Sequence, residues 1–285
     1  MARSLRTPKD PEGRMPLKEH LLEFRNRLMI AAAAIVVGAI IGWIIYKPVT
    51  IGSWTYGGIY DQLTLPFTEY KKSNPDSVVT LNFGNATSAF TTQLGLSLFT
   101  GVILSSPVWL WQIWAFILPG LTKREKRISL GVFGTALPLF LAGCFFAYQT
   151  LPKALLILFG FTPDDNKSSN IQQASDYFTF ITRFILAFGL AWLLPVFLVG
   201  LCTIGVLSGR TLKKSWRMAI LLIFIASAVI TPTPDPFTMF LLAGPLCVLY
   251  FAALGICLLI DRRRVERGEE PDWSDLPDDQ ASPLT

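Results

Sequence analysis

Six apolar runs, separated by charge clusters or by proline and glycine, dominate this chain of 285 residues. They lie at about 28–46, 90–118, 128–149, 177–206, 216–230 and 237–260. A helix needs about 20 apolar residues to cross a hydrocarbon core of roughly 30 Å, and five of the six runs reach that length. Within lipid every backbone polar group must be satisfied inside the protein, so uninterrupted runs of this length become helices. Only 16% of the residues are charged and 52% are hydrophobic, where a soluble domain carries about a quarter charged. The expected fold is therefore an all-α membrane protein with six transmembrane helices.

The basic residues orient it. Residues 1–27 carry seven Lys and Arg; the turns 119–127 and 207–217 and the tail after 260 carry four each. The opposite side holds five, Lys47, Lys71, Lys72, Lys153 and Lys167, while Arg183 stands inside the fourth run. Nineteen against five puts both termini in the cytoplasm, which an even number of spans permits. Residues 1–14 and 261–285 read as disordered cytoplasmic tails around one transmembrane domain, 15–260. The net charge of +5 comes from short clusters and not from a broad basic face, which excludes a nucleic-acid binder.

Met15–Leu28 reads as an amphipathic interfacial helix leading into the first span. Its apolar stripe is Leu17, Leu21, Phe24 and Leu28, opposite Lys18, Glu19, Glu23 and Arg27. Residues 47–87 and 151–176 read as outer loops, and Ser105-Ser106-Pro107 as a kink in the second span. The fifth span has 15 residues and reaches about 22 Å, which predicts a locally thinned bilayer beside it. Cys144, Cys202, Cys247 and Cys257 all lie in apolar runs without CxxC spacing, and His20 is the one histidine. No metal site, cofactor or redox couple is expected from them.

The most informative stretch is SPVWLWQIWAFILPGLTKREKR, Ser106–Arg127. Its tryptophans, Trp109, Trp111 and Trp114, read as an interfacial anchor. Pro119-Gly120 ends the helix, and one acid, Glu125, follows among Lys123, Arg124, Lys126 and Arg127. Thr122 and Glu125 have capping-box spacing, so the acid either caps the third span or recognises a ligand. Glu23 and Arg27, four apart, fit an ordinary helix ion pair as well. Asp235, between prolines, fits a cap of the sixth span.

Three blocks, HLLEFRNRL (20–28), PVWLWQIWAFILPGLTKREKR (107–127) and ITPTPDPFTMFLLAGPLCVLYF (230–251), resemble TatC, the multi-span receptor of the twin-arginine protein translocase. The resemblance covers about 15–260. It implies a cupped six-helix bundle that is not an enzyme and sits in a bacterial-type cytoplasmic membrane. It implies binding of the twin-arginine signal peptides of folded cargo, small single-span partners of the TatA and TatB type, a homo-oligomer in the complex, and export driven by the proton-motive force. On matched positions it assigns peptide binding to Glu23 and Glu125, with Arg25, Gln112, Phe116 and Lys123 as neighbours. Pro66, Thr231, Pro232, Asp235 and Met239 fall on positions used for structure or assembly. The chain departs from the pattern at Leu193 and Leu194, where a Glu or Gln is common, and at Met239, where a Gln is common; Arg183 is a candidate to offset these losses. The competing class is a small-molecule secondary transporter, for which the chain lacks an internal repeat and intramembrane acids.

Overall fold

The structure is a computed structural model that describes residues 17–51, 54–73, 79–117, 131, 134–160, 170–230 and 236–266. Its helices are α1 (Leu17–Ile44), α2 (Ile59–Ser73), α3 (Ala86–Leu104), α4 (Ser106–Ile117), α5 (Ala136–Phe159), α6 (Ala174–Ala191), α7 (Leu194–Thr203), α8 (Gly209–Lys214), α9 (Trp216–Ile230) and α10 (Pro236–Glu266). Strands β1 (Val49–Ile51) and β2 (Trp54–Tyr56) form an antiparallel hairpin. Strands β3 (Val79–Asn82) and β4 (Asn170–Gln173) pair in parallel, joining the two segments expected to be loops. Among the described residues five stretches are long and apolar enough to cross a membrane: Lys18–Ile44, Thr87–Leu104, Ala136–Phe159, Ala174–Thr203 and Pro236–Glu266. The fifth run is the shorter apolar helix α9.

Aromatic packing between α5 and α6 forms the centre. Phe140, Ala147, Leu151, Ile181, Phe184 and Phe188 are fully buried, and the rings of Phe184 and Phe188 lie 4.6 Å apart. α10 packs on α7, α8 and α9, and α3 joins α6 to α1. Lipid supplies no hydrophobic force between helices, so close backbone approach must do that work. The α1–α3 crossing shows it: a Cβ on Gly38 would lie 2.8 Å from the Gly101 carbonyl, and one on Gly101 2.6 Å from the Ala39 nitrogen. Gly42, one turn on, sits over Ser97 and Thr100 in the same way.

Prolines set the breaks. The second span bends at Ser105, between α3 and α4, as the sequence leads one to expect, and the Trp109 indole donates to the Val102 carbonyl at 2.9 Å there. The fourth span is broken too, a break that the apolar run at 177–206 does not mark. Pro195 cannot donate to Ala191, so the chain tightens at Trp192–Leu193 and restarts as α7 with proline in its first turn.

Four further expectations are corrected. Residues 47–87 are not a plain loop: α2 buries Ile59, Leu63, Pro66, Phe67 and Tyr70, a helical stripe, against α5 and its neighbours. The third span does not stop at Gln149, because α5 runs to Phe159 and buries Leu151, Ala154 and Leu155 on either side of Pro152. Residues 261–266, assigned to the disordered tail, continue α10; the Asp261 carboxylate accepts from the Gly209 N–H at 2.6 Å and Arg264 donates to the Thr203 carbonyl at 2.6 Å. Trp109 and Trp114 are not interfacial anchors, being 8% exposed each, with Trp109 edge-on to Phe140 at 5.3 Å. Of the three, Trp111 alone is exposed.

Pro66 has a local physical role. Its missing N–H leaves the Gln62 carbonyl without its helical donor. The Tyr148 hydroxyl of α5 donates to that carbonyl at 2.9 Å, and the Tyr177 hydroxyl of α6 donates to the next, Leu63, at 3.0 Å. The proline thus opens the Gln62 acceptor to Tyr148, and with the Tyr177 bond to Leu63 two phenols fasten α2 to the bundle.

Candidate functional site

The first turns of α1 do not lie as an interfacial helix distinct from the first span: α1 is one helix of 28 residues, about 42 Å long. The expected apolar stripe turns outward, with Leu21 58%, Phe24 48% and Leu28 55% exposed. The face toward α4 is the polar one. His20, Glu23 and Arg27 recur at spacings of three and four, hence on one side of the helix, and they meet Gln112 and Phe116, one turn apart on α4.

The His20 ring stacks on Phe116 with centroids 4.3 Å apart and 19° between planes. Phe24 tilts against the same ring at 5.3 Å. One helical turn deeper, Arg27 donates through Nε to Glu23 Oε1 at 3.1 Å and through Nη2 to the same oxygen, while its Nη1 reaches Gln112 Oε1 at 3.5 Å. His20 pairs with Phe116 and Arg27 with Gln112, so the two helices run antiparallel. The second span therefore ends where the first begins.

Glu23 and Arg27 are each 24% exposed. The pair is an i,i+4 ion pair within α1, partly shielded from solvent, and Arg27 alone carries it across to Gln112 on α4. Both arginine bonds fall on Oε1. A carboxylate has about four lone-pair positions, and among the described residues Oε2 has no donor. The cluster thus offers an anchored acid beside an aromatic platform, a place suited to a planar cation.

The structure brings Glu23, Gln112 and Phe116 together through Arg27 and His20. It does not bring Arg25 to them: two residues past Glu23 is about 200° around the helix, and Arg25 is exposed there. Lys123 and Glu125, with the Thr122 cap, lie outside the described residues, as do Thr231, Pro232 and Asp235. Pro66 sits in α2 and Met239 half-buried in the first turn of α10, both away from this cluster. Leu193 is 4% exposed at the break before α7, and Arg183 is exposed on the flank of α6. His20 is the member that sequence reasoning missed. The signal was available in its position three residues before Glu23 and seven before Arg27, but only the α4 contact gives that spacing meaning.

Comparison with known proteins agrees with this layout. Residues 19–245 match the profile of the family described as Sec-independent protein translocase protein (TatC). Relatives of that description are 43% identical over 254 residues in Xylanimonas cellulosilytica, covering 89% of this chain and 87% of the relative, and 38% identical over 286 residues in Frankia casuarinae, covering 98% and 75%. A crystal structure of the twin-arginine translocase receptor TatC in DDM superposes with a TM-score of 0.69 at 30% identity, covering 84% of this chain and 99% of that one. By its sequence, helical architecture and structural likeness, the chain belongs to the TatC family of Sec-independent protein translocase proteins.

Proposed function

We propose that this chain is the receptor subunit of a twin-arginine translocase, with six spans, α9 being the fifth, and both termini in the cytoplasm of a bacterial-type cell. The antiparallel α1–α4 contact supports the topology, because the start of α1 meets the end of α4, and in sequence the basic N-terminal region precedes the one and the basic 119–127 segment follows the other. The receptor acts without covalent chemistry: it binds the signal peptides of folded cargo at the cytoplasmic face and assembles with small single-span partners of the TatA and TatB type, and with further copies of itself, for export driven by the proton-motive force. In this reading Glu23 and Glu125 each accept one guanidinium of the arginine pair. Gln112 and Phe116 hold the first acid and its platform, Lys123 stands two residues before the second acid, and Arg25 contributes from the opposite face of α1. Pro66, Thr231, Pro232, Asp235 and Met239 serve structure and assembly on the far side. A small-molecule secondary transporter is not favoured by the family match.

The observation that carries the reading is the half-used Glu23 carboxylate, fixed by Arg27 at the mouth between α1 and α4. Its test is photo-crosslinking in native membranes from a signal peptide with the probe beside its arginine pair. The expected result is an adduct in the wild type, none in Glu23→Ala or Glu125→Ala, and little from a peptide with lysines in place of the arginines, since an ammonium lacks the planar fork. Equal adducts from the arginine and lysine peptides would refute recognition through paired hydrogen bonds.

A further inference from the structure

At the opposite end of α1 lies a cavity that no part of peptide recognition uses. The chain leaves α1, makes the β1–β2 hairpin and returns as α2 directly against the helix it left. The Ile59 and Tyr60 N–H groups donate to the carbonyls of Ile45 and Tyr46 at 3.1 and 3.3 Å. Gly58 permits this approach, because a Cβ there would lie 2.5 Å from the Lys47 carbonyl carbon. Between this junction and the start of α3 opens a cavity of about 510 Å³, lined among others by Tyr46, Lys47, Tyr60, Asp61, Phe90 and Gln93.

Its lining is chemically specific. Lys47 and Asp61, both exposed, bring one charge of each sign to the same cavity. Tyr46 and Tyr60 stand 5.8 Å apart as aromatic walls. Burial and the nearby Asp61 carboxylate push the Tyr60 phenol above its usual pKa. Trp43 meets Phe90 edge-on at 6.0 Å, and from there exposed Leu94 and Leu98 continue along α3 while Ile40 and Ile44 line α1. A cavity with one charge of each sign in an otherwise largely apolar lining thus opens onto an exposed apolar surface.

We propose that this cavity binds the headgroup of a zwitterionic phospholipid, phosphatidylethanolamine, its phosphate on Lys47, its ammonium on Asp61 and the tyrosine faces, and its acyl chains along the α1–α3 surface. An anionic headgroup would meet the Asp61 carboxylate unfavourably. The amino terminus of a partner helix would satisfy Asp61 and leave Lys47 unmatched. The ethanolamine ammonium supplies N–H donors for a carboxylate and also fits an aromatic wall. Only the leaflet in which the site lies rests on the six-span reading given above.

The test uses the full chain purified in detergent and native mass spectrometry with dioleoyl-phosphatidylethanolamine and dioleoyl-phosphatidylglycerol added separately. The wild type should retain the ethanolamine lipid about tenfold more strongly, the value of one charge-assisted hydrogen bond. Asp61→Asn should erase that preference, and Lys47→Met should weaken retention of both lipids. Both side chains are exposed, and unchanged thermal unfolding of the variants will show that the fold is intact. Equal retention of the two lipids by the wild type, or a preference unchanged in Asp61→Asn, overturns the proposal, the latter outcome leaving the cavity to a partner helix. Labelling of Gln62→Cys from either side of sealed cells reads the leaflet independently: a cytoplasmic result overturns the topology and leaves the lipid result standing.

Discussion

Replacing Glu23 by Gln keeps the shape of the side chain and removes its charge, which makes it the cleanest probe of the α1–α4 cluster. A hydrogen bond to a charged group contributes about 1.5–3 kcal/mol net. Glu23 is 24% exposed, so the lower end applies, and peptide affinity should fall about tenfold at roughly 1.4 kcal/mol per decade. Arg27 competes with the guest for the same carboxylate while also holding it in place. The i,i+4 pair is worth about 0.2–0.5 kcal/mol when solvated and somewhat more at this depth. Arg27→Gln should therefore change affinity by no more than about threefold, and the double variant should resemble Glu23→Gln. Gln112→Leu should matter least, because its 3.5 Å contact with Arg27 is at the limit of hydrogen-bond geometry. The assay is fluorescence anisotropy of a labelled twin-arginine peptide with the chain in nanodiscs, at low and at high salt. If Arg27→Gln loses as much as Glu23→Gln, the guest touches Arg27 or depends on its positioning, and the assignment of the carboxylate as the acceptor fails.

Three further perturbations test the scaffold. Gly101→Ala puts a methyl within 2.6 Å of α1 backbone, an overpacking cost of about 1–3 kcal/mol; lower resistance to unfolding in detergent and a longer α1–α3 distance between spin labels are expected, and wild-type values for both would refute the close-approach account. Tyr148→Phe should cost about 1 kcal/mol in the wild type but almost nothing in a Pro66→Ala background, where the backbone N–H restored by the substitution takes the Gln62 carbonyl; additive effects in that cycle would show that the proline and the phenol act separately. Spin-label depth profiling around α9, whose 15 residues reach about 22 Å, should show bilayer thinner than around α5, and equal thickness would remove the idea of a thinned patch.

The spans were legible because hydrophobic length is the one signal that lipid imposes directly on sequence: α9 begins and ends where its apolar run does, and the break at Ser105 follows from Pro107. What sequence reading placed wrongly were segments whose fate depends on a partner. Residues 151–159 look like a loop because Gln149, Thr150, Pro152 and Lys153 interrupt the apolar run. Yet Leu151, Ala154 and Leu155 find cover and keep α5 helical. The Trp109 ring looks like a membrane anchor until the bend at Ser105 turns it onto Phe140.

The N-terminal half of α1 carries the sharper lesson. In water the Leu21–Phe24–Leu28 stripe would face the protein, and periodicity alone assigns it that way. Here the apolar stripe is the exposed one, and the polar stripe of His20, Glu23 and Arg27 faces α4. Charges at the end of a span gain more from a neighbouring helix than leucines do, since leucine is equally at home against lipid. The rule that identifies an amphipathic helix therefore holds while its orientation inverts. An acid that reads as a solvated ion-pair member becomes, on the inverted face, a preorganised acceptor between two spans. Restoring the soluble polarity by the exchange Leu21→Glu with Glu23→Leu should preserve helix content and abolish peptide binding. Retained binding would show that helical content and overall charge, and not the face toward α4, determine recognition.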